Sequence, residues 1–312
     1  MITICIPTFN RSKFLQELLQ SIYNAKQNIP IILSNNNSTD DTNKVIQIYK
    51  KKLTNFTSIQ QKKNIGFARN YLECIFRVRT KYAWVVGDDD LLKKDSIKNI
   101  IFTIKKLNYP NGIIFEYDNF LNLSKNKSHN SISEISLLKD FSKCGLISTQ
   151  IIKVENIKLI KNQITKQKKN FYIQIYIILH LIKKFGNWYK SSKKIINYRN
   201  NNFNHYSKKW ILNRLENEIK GYLIPLKIIY NKKSKEYKNI TNSIFNKNII
   251  SWIFYSAIRA DKLRTLLILK NNFKYLHIRL RIKLFFILLV LIILPKTILI
   301  NLPKIKNIFK LV

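Results

Sequence analysis

The sequence predicts an α/β fold in which a mostly parallel sheet carries helices on both faces and a helical region follows at the C-terminus. Up to about residue 117, short apolar runs of strand length alternate with segments of helical spacing, and this alternation is typical of a parallel sheet covered on both faces. From residue 208 to residue 270 the spacing is helical. With 312 residues and 46% apolar side chains, the chain can bury a sizeable core.

Strands and helices are expected to alternate along the first part of the chain. The strand-like runs are short and rich in β-branched and aromatic residues, and they lie at Ile2–Ile6, Pro30–Leu33, Phe56–Ile59, Tyr82–Val86 and Gly112–Phe115. Segments with apolar residues three and four apart lie at Ser12–Ala25, Thr42–Lys52, Gly66–Val78 and Lys93–Leu107. A later strand at Ile147–Val154 and an apolar helix at Phe171–Phe185 follow.

The net charge of the chain and the spacing of its cysteines limit the kinds of function that it can have. A formal charge of +39 attracts anions such as nucleic acid, acidic lipid headgroups or nucleotide phosphates. Cys5, Cys74 and Cys144 are isolated, so neither a zinc site nor a disulfide framework is indicated, and a reduced cytosolic setting is expected. The first residues hold no basic region followed by an apolar one, so we expect no secretion signal there.

Polar clusters follow the first four predicted strands. They are Thr8–Arg11, Ser34–Asp41, Asn64–Gly66 and Asp88–Asp90, in chain order. Because ligands bind beyond the carboxyl ends of the strands in open α/β sheets, we expect the four clusters to meet at one edge. That convergence predicts a binding site.

The consecutive carboxylates Asp88, Asp89 and Asp90 indicate a metal–phosphate site. They follow an apolar strand and a single glycine, Gly87, and close carboxylates repel one another unless a cation offsets their charge. Hard cations such as Mn²⁺ or Mg²⁺ take oxygen ligands and share them with substrate phosphates. The alternative is a solvated turn that begins a helix, since Asp is common in both places.

Two further groups suit a nucleotide. Arg69 lies one turn into the helix that begins at Gly66 and would add a positive group near the phosphates; the alternative is a surface arginine of a basic protein. The amides of Asn35 and Asn36 both donate and accept hydrogen bonds, which suits the edge of a nucleobase. The alternative there is an Asn-rich turn.

Four motifs together carry a family resemblance. In order they are IPTFNR at Ile6–Arg11, ILSNNNSTDDT at Ile32–Thr42, NIGFARN at Asn64–Asn70 and WVVGDDDLL at Trp84–Leu92. Their order and spacing resemble the signatures of family 2 glycosyltransferases with the GT-A fold, a Rossmann-like α/β fold, across roughly the first 120 residues. The acidic motif is most similar to that of the abequosyltransferase-like branch of bacterial O-antigen and capsule transferases.

The resemblance implies a role for each matching residue. It implies nucleotide-sugar contacts for Pro7, Thr8, Asn10, Arg11, Asn35, Asn36, Asn64, Gly66, Arg69 and Asp88. Within that set, Asn35 stands where many members have an aspartate that contacts the base. Asp89 matches the metal-coordinating aspartate, Gly87 replaces the first acid of the usual DXD pattern, and Asp88 or Asp90 supplies the missing carboxylate.

An inverting member of the family also needs a general base for the acceptor hydroxyl. Many members carry it in an acidic pair within a later helix, whereas no acidic residue lies between Glu155 and Glu216. The candidates for the base are therefore Asp118, Asp140 and His180, each of which also has a structural explanation. An unusual base, a retaining reaction or an inactive protein would equally account for the missing acidic pair.

The C-terminal sequence predicts contact with a membrane. Leu284–Leu294 is eleven uninterrupted apolar residues with basic residues on both sides, and no acid occurs from Asn271 to Val312. A spanning helix needs about 20 mainly apolar residues, so we predict an interfacial, peripheral anchor within residues 279–310. The alternative is a buried C-terminal helix of the core.

The leading hypothesis is a metal-dependent, inverting glycosyltransferase that uses Mn²⁺ or Mg²⁺. A transferase domain at 1–205, with its nucleotide-sugar-binding half at 1–120, would precede a basic helical region at 206–312. The enzyme would move a sugar from a nucleotide-sugar donor to a lipid-linked or cell-surface glycan acceptor, in lipopolysaccharide O-antigen or capsule synthesis. It would work in the cytoplasm at the inner face of the cell membrane.

Two different functional classes compete with this hypothesis. Nucleotidyl transfer onto a sugar phosphate also uses an α/β sheet and aspartate-bound metal, but it usually requires a glycine-rich basic loop after the first strand, where this chain has Pro7–Asn10. A basic nucleic-acid-binding protein would explain the charge. No RNP, zinc-finger or KH-like signature is present, so no specific nucleic acid partner is expected.

Overall fold

The computed structural model describes residues 1–116, 132–134, 144–170, 172–197, 208–276 and 278–295. These residues divide into two compact units, the first ending at residue 197 and the second beginning at residue 208. The predicted domain boundary between residues 205 and 206 lies outside the described residues.

The first unit is built on one large sheet and one small one. The large sheet contains β1 (Ile2–Thr8), β2 (Ile31–Asn35), β3 (Phe56–Gln60), β4 (Tyr82–Val85), β6 (Gly112–Glu116), β7 (Ile132–Glu134), β8 (Gln150–Lys153) and β9 (Trp188–Lys194). Their order across the sheet is β3-β2-β1-β4-β8-β6-β9-β7. The small sheet pairs β5 (Leu91–Leu92) with β10 (Ile196–Asn197) in antiparallel fashion.

The large sheet is mostly parallel, as predicted. The strand β1 is parallel to both β2 and β4, β2 is parallel to β3, and β6 is parallel to β9. The strand β8 runs antiparallel between β4 and β6, and β7 is antiparallel to β9. Strands β1, β2, β3 and β4 therefore end at the same edge, and each is followed by one of the polar clusters.

The first unit contains seven α-helices in its described part, at α1 (Ser12–Asn24), α2 (Thr42–Lys52), α3 (Phe67–Ile75), α4 (Ser96–Lys106), α5 (Val154–Leu159), α6 (Lys161–Lys166) and α7 (Ile173–Phe185). Residues Ile2, Ile4 and Ile6 of β1 belong to one apolar cluster with α1, α2 and α4. Because side chains alternate along a strand, Cys5 points to the opposite face, where α3 packs on β1 and Cys74 lies nearby. Helices thus cover both faces, which confirms the predicted fold class.

One predicted strand begins later than expected. Ile147–Thr149 form a turn of 3₁₀-helix, and the strand starts only at Gln150. The turn is closed by a hydrogen bond from the Thr149 amide to the Leu146 carbonyl at 3.3 Å. The apolar pattern alone does not reveal this turn, because a single 3₁₀ turn is too short to change the hydrophobic period.

The second unit is helical in its described residues. Its helices are α8 (Lys208–Ile229), α9 (Lys235–Ile244), α10 (Ile250–Arg259), α11 (Lys262–Asn272) and α12 (Ile278–Ile293), with a π-helical turn at Phe245–Ile249 and a 3₁₀ turn at Phe273–Tyr275. Side-chain caps fix two of the starts: Ser234 accepts from the Tyr237 amide at 3.1 Å, and Asp261 accepts from the Arg264 amide at 2.8 Å. None of the described helices combines the length and the apolar character needed to cross a bilayer.

The contact between Gly112 and Trp188 tests the packing of the large sheet. The two residues are partners in the parallel pair of β6 and β9, and a Cβ on Gly112 would lie 2.4 to 2.5 Å from three carbon atoms of the indole ring. Such a distance requires the buried ring or the strand to move. We predict that Gly112→Ala lowers the free energy of unfolding by about 2–3 kcal/mol in urea denaturation.

A double-mutant cycle provides the control. In a Trp188→Leu background the ring is gone, so Gly112→Ala should then cost less than about 1 kcal/mol. An equal cost in both backgrounds would show that the indole is not the cause.

Candidate functional site

A cavity of about 420 Å³ lies at the edge where β1, β2 and β4 end. Its lining includes residues from all four polar clusters and is completed by Ile147 of the 3₁₀ turn. The lining residues are Pro7, Thr8, Phe9, Arg11, Asn36, Asn64, Gly66, Phe67, Asn70, Gly87, Asp88, Asp89 and Ile147. The polar clusters at the strand ends therefore converge on one cavity, as the sequence predicts.

The loops after β1 and β2 are tied together by hydrogen bonds. The Asn10 amide donates to Ser38 Oγ at 2.9 Å, and Asn10 Oδ1 accepts from the Thr39 amide at 2.8 Å. Asn10 has a φ of 51°, in the left-handed region that asparagine tolerates better than most residues. Asn10 does not line the cavity, so its contribution in this structure is to shape the loop that carries Arg11.

The side chain of Asn35, predicted to contact the nucleobase, is hydrogen-bonded within the protein. Its side chain is 1% exposed. Its Nδ2 donates to Asn43 Oδ1 at 2.7 Å and to Gln60 Oε1 at 3.0 Å, while its Oδ1 accepts from the amide and the hydroxyl of Ser38. Both amide hydrogens and the oxygen are thus already used, and Asn35 holds the loop together in this structure.

Asn36 and Asn64 join the second and third clusters. Asn36 Nδ2 donates to Asn64 Oδ1 at 2.9 Å, and Asn36 Oδ1 accepts from the Ile65 amide at 2.8 Å. Asn64 Oδ1 also accepts from the Gly66 amide at 2.9 Å. Gly66 has a φ of 82° at the start of α3, a conformation that favours glycine. Both asparagines line the cavity.

In helix α3, which follows the third cluster, Asn70 rather than Arg69 lines the cavity. Arg69 is exposed and is not among the residues that line the cavity. Asn70 lines the cavity, is buried, and accepts from the Ser34 hydroxyl at 2.7 Å while donating to the Ser34 carbonyl at 2.9 Å. Its place one turn into α3, among apolar neighbours, is the signal that would have identified it.

The three aspartates point in different directions. Asp88 accepts from the Thr8 hydroxyl at 2.7 Å, and Asp89 lies 3.8 Å from the Arg11 guanidinium. Asp90 is 5% exposed, accepts from the hydroxyl of Ser148, and does not line the cavity. Of the three aspartates predicted to bind metal, Asp90 thus differs from the other two in this structure, because its carboxylate is turned into the protein and held by Ser148.

Ser148 is the residue that sequence reasoning missed. Its hydroxyl accepts from the Gly87 amide at 2.8 Å and donates to Asp90, while its carbonyl accepts from Trp84 Nε1 at 2.8 Å. It lies in the 3₁₀ turn that precedes β8, a segment predicted as continuous strand. Ser148 thus fixes both the end of β4 and the start of the aspartate loop.

Gly87 lies in a crowded part of the loop, where an added side chain would press on the ends of neighbouring side chains. A Cβ at this position would lie 3.1 Å from Asp89 Oδ1, 3.2 Å from Asp90 Oδ2 and 3.5 Å from Ser148 Oγ. A carboxylate side chain there would also add a further negative charge beside the aspartates. The loop therefore carries its acids after the glycine.

The pKa of Asp88 is raised to about 7. Burial is the larger cause and the neighbouring charge of Asp89 is the second, and together they outweigh the Thr8 hydrogen bond and the Arg11 charge. The ionised carboxylate is therefore poorly compensated by the protein alone. A cation placed between Asp88 and Asp89 would supply the missing charge.

The donor set at the cavity fits a hard divalent cation. Asp88 and Asp89 offer carboxylate oxygens, and Mg²⁺ or Mn²⁺ is commonly held by one or two carboxylates with water and substrate phosphates as the remaining ligands. Among the residues that the structure describes, no group of three or more His, Cys, Asp or Glu is arranged to hold a metal. The residues present thus suit a cation that arrives with a phosphate-bearing ligand.

The predicted general bases lie away from the cavity or outside the described residues. Asp118 and Asp140 belong to the latter group. His180 lies in α7 with its ring 5.8 Å from that of Tyr176, and it does not line the cavity. Burial, with Lys184 and Lys183 nearby, lowers the pKa of His180. Gln174, in the first turn of the same helix, is buried and donates to the Gly145 carbonyl at 3.1 Å.

Comparison with known proteins finds a family model that matches this part of the chain. The family model described as glycosyl transferase family 2 matches residues 3–152, a range that includes every described residue lining the cavity. Over 102 residues the chain is 39% identical to the abequosyltransferase RfbV of Salmonella typhimurium, a match that covers 31% of this chain and 30% of that protein. The matches to three curated relatives span 30% to 41% of those relatives' lengths.

Two solved structures share the fold over most of the chain. S. aureus TarS 1-349 in complex with UDP-GlcNAc has a TM-score of 0.64 and 15% identity, covering 89% of this chain and 82% of that one. The mannosyltransferase PcManGT of Pyrobaculum calidifontis, in complex with GDP-Man and Mn²⁺, has a TM-score of 0.58 and 11% identity, covering 86% and 79%. Residues 3–152 thus match the glycosyl transferase family 2 model, and the chain has the GT-A fold that these two structures share.

Proposed function

We propose that this protein transfers a sugar from a nucleotide-sugar donor with the help of Mn²⁺ or Mg²⁺. The observation that carries the proposal is the pair of carboxylates, Asp88 and Asp89, that share a cavity with Arg11 at the ends of the parallel strands. The solved structures of the same fold that contain a nucleotide-sugar, one of them with Mn²⁺, support it. The abequosyltransferase relative supports a role in O-antigen or capsule synthesis.

The cavity offers separate groups for each part of the donor. Pro7 and Phe9 supply apolar surface, and Asn36 and Asn64 supply amides beside them. Arg11, whose side chain is 43% exposed, can turn toward a diphosphate, because its 3.8 Å contact with Asp89 is a weak ion pair in solvent. Arg69 remains a predicted diphosphate contact that would need to move toward the cavity.

The chemistry follows from the charge at the site. When bound, the cation would neutralise the negative charge that develops on the departing diphosphate. Asp88 and Asp89 would hold it there, and the Thr8 hydroxyl would keep Asp88 oriented through its 2.7 Å hydrogen bond. Arg11 would stabilise the same developing charge from the other side.

For an inverting reaction, a base must take the proton of the acceptor hydroxyl. We keep Asp118, Asp140 and His180 as the candidates. The lowered pKa of His180 keeps its imidazole neutral at pH 7, which is the form that a base requires.

The acceptor in this proposal is a lipid-linked or cell-surface glycan, reached at the cytoplasmic face of the membrane. The support is the composition of the second unit. From residue 262 to residue 295 the chain carries seven Lys or Arg and no Asp or Glu, and such a segment is attracted to anionic lipid.

A donor panel tests the proposed reaction. The protein is incubated with UDP-, GDP-, CDP- and dTDP-sugars, with Mn²⁺ or with EDTA, and released nucleoside diphosphate is measured. We predict release from one donor only when Mn²⁺ is present, and a loss of at least about 100-fold in Asp89→Ala because a metal ligand supplies several kcal/mol. Asp95→Ala, at an exposed acid six residues along, should keep full activity.

Three outcomes would contradict the proposal. They are no release with any donor, equal release with EDTA, and full activity in Asp89→Ala. Release of pyrophosphate instead of nucleoside diphosphate would indicate nucleotidyl transfer.

The raised pKa of Asp88 predicts a pH-dependent stability. A carboxyl group whose pKa is higher in the folded state binds its proton more tightly there, so its favourable contribution is complete below the unfolded pKa of about 4 and is lost as the pH rises through about 7. We therefore expect metal-free Asp88→Asn to gain on the order of 2–4 kcal/mol of unfolding free energy relative to wild type between pH 4 and pH 8.

Urea denaturation in EDTA at both pH values measures this difference, and addition of Mn²⁺ at pH 8 should stabilise the wild type more than the variant. A difference between the two proteins that does not change with pH would show that Asp88 is not strained by its surroundings.

A further inference from the structure

We propose that helix α12 carries a docking surface for an anionic lipid bilayer. The surface, here called the outer face of α12, consists of seven large apolar side chains that are 36% to 71% exposed: Ile278, Ile282, Phe285, Phe286, Leu289, Ile292 and Ile293. Single exposed apolar residues are common, whereas a contiguous apolar patch on one helix marks a site of interaction.

The helix is apolar on two opposite sides. With about 100° of rotation per residue, the seven exposed positions fall within an arc of about 120°. The buried residues Leu280, Leu284, Ile287 and Leu291 lie on the other side, centred about 190° away. The inner side is used by the packing of the second unit. The outer face is also apolar, but its side chains are exposed. Packing in the core therefore explains only one of the two apolar sides of the helix.

The end of α12 is fixed against its own unit. Lys262 Nζ, at the start of α11, donates to the Ile292 carbonyl at 3.2 Å and to the Leu294 carbonyl at 3.1 Å. These bonds occupy carbonyls that a helix end otherwise leaves without an intrahelical partner. The outer face is therefore presented on an anchored helix, which lowers the ordering cost of docking.

Basic residues flank the outer face. On the same helical projection, Arg279 and Arg281 lie about 20° beyond its two edges. The segment 262–295 has seven Lys or Arg and no acidic residue. An apolar stripe between cations matches the boundary of an anionic bilayer, where acyl chains meet negatively charged headgroups.

The positive charge of the chain also argues against two other partners for the outer face of α12, a second copy of the chain and a nucleic acid. A second copy of this chain would bring the same cations to the contact, and a formal charge of +39 makes close association of two copies costly. The phosphates of a nucleic acid would pair with Arg279 and Arg281, but Phe285 and Phe286 would then contact phosphate and water. An anionic bilayer can contact both groups, because its headgroups pair with the cations and its acyl chains contact the apolar side chains.

Vesicle sedimentation tests this surface, and the test does not depend on the proposed transfer reaction. The full chain is mixed with vesicles of phosphatidylcholine alone or of phosphatidylcholine and phosphatidylglycerol, and the bound fraction is measured. We expect binding to the anionic vesicles that weakens with salt, and a loss of at least about tenfold in affinity for Phe285→Gln/Phe286→Gln.

The matched control is Ile48→Gln/Ile228→Gln, which removes two apolar side chains that are 50% and 48% exposed elsewhere; it should bind like wild type. Circular dichroism confirms that both double variants fold. The proposal is overturned if wild type binds neither vesicle, if the Phe285/Phe286 variant binds as well as wild type, or if that variant only converts a dimer to a monomer in light scattering.

Discussion

The site depends on the way Ser148 holds the end of strand β4. Trp84, fully buried in that strand, donates its indole N–H to the Ser148 carbonyl, and the Gly87 amide donates to the Ser148 hydroxyl. The same hydroxyl donates to Asp90. Because these bonds take Asp90 into the interior, Asp88 and Asp89 are left at the cavity. The hydrogen bond of a buried tryptophan to Ser148 thereby helps to decide which carboxylates line the cavity.

At the cavity, asparagine side chains that are hydrogen-bonded within the protein surround one carboxylate whose negative charge is poorly compensated. Asn35, Asn36 and Asn70 are almost completely paired, and they hold the three strand ends in register. Asp88 is the exception, since burial and Asp89 raise its pKa to about 7. Charged groups that are strained in this way are concentrated at functional sites. In the proposed function, a cation that binds together with a phosphate-bearing ligand would remove this cost, and metal binding would then be coupled to donor binding.

Much of the fold was predictable because the strands and helices of the first unit have clear periods. The runs around Ile4, Leu33 and Trp84 are buried strands, and the spacing of Leu15, Leu18 and Ile22 places one face of α1 on the sheet. The order of the polar clusters was sufficient to place them at one edge. The 3₁₀ turn at Ser148 was not predictable, because three residues carry no period.

The individual roles at the site were less predictable than its position. Asn35 and Asn36 are adjacent and identical in type, yet one is used up by Asn43, Gln60 and Ser38 while the other lines the cavity. The difference arises from the alternation of side chains at the end of β2 and from Gln60 and Asn64, two partners that lie more than twenty residues away along the chain. Similarly, only the tertiary contact with Ser148 distinguishes Asp90 from its two neighbours.

The central claim is that Asp88 and Asp89 bind a divalent cation together with a nucleoside diphosphate. The most direct measurement is the melting temperature of the full chain with each common nucleoside diphosphate, in Mn²⁺ and in EDTA. A ligand at about 100 times its Kd stabilises the folded state by about 2.7 kcal/mol, and each kcal/mol raises the melting temperature by about 2–4 °C for a domain of this size. The account predicts such a rise for one base and only with Mn²⁺. An equal rise in EDTA, or no rise with any diphosphate, would contradict it.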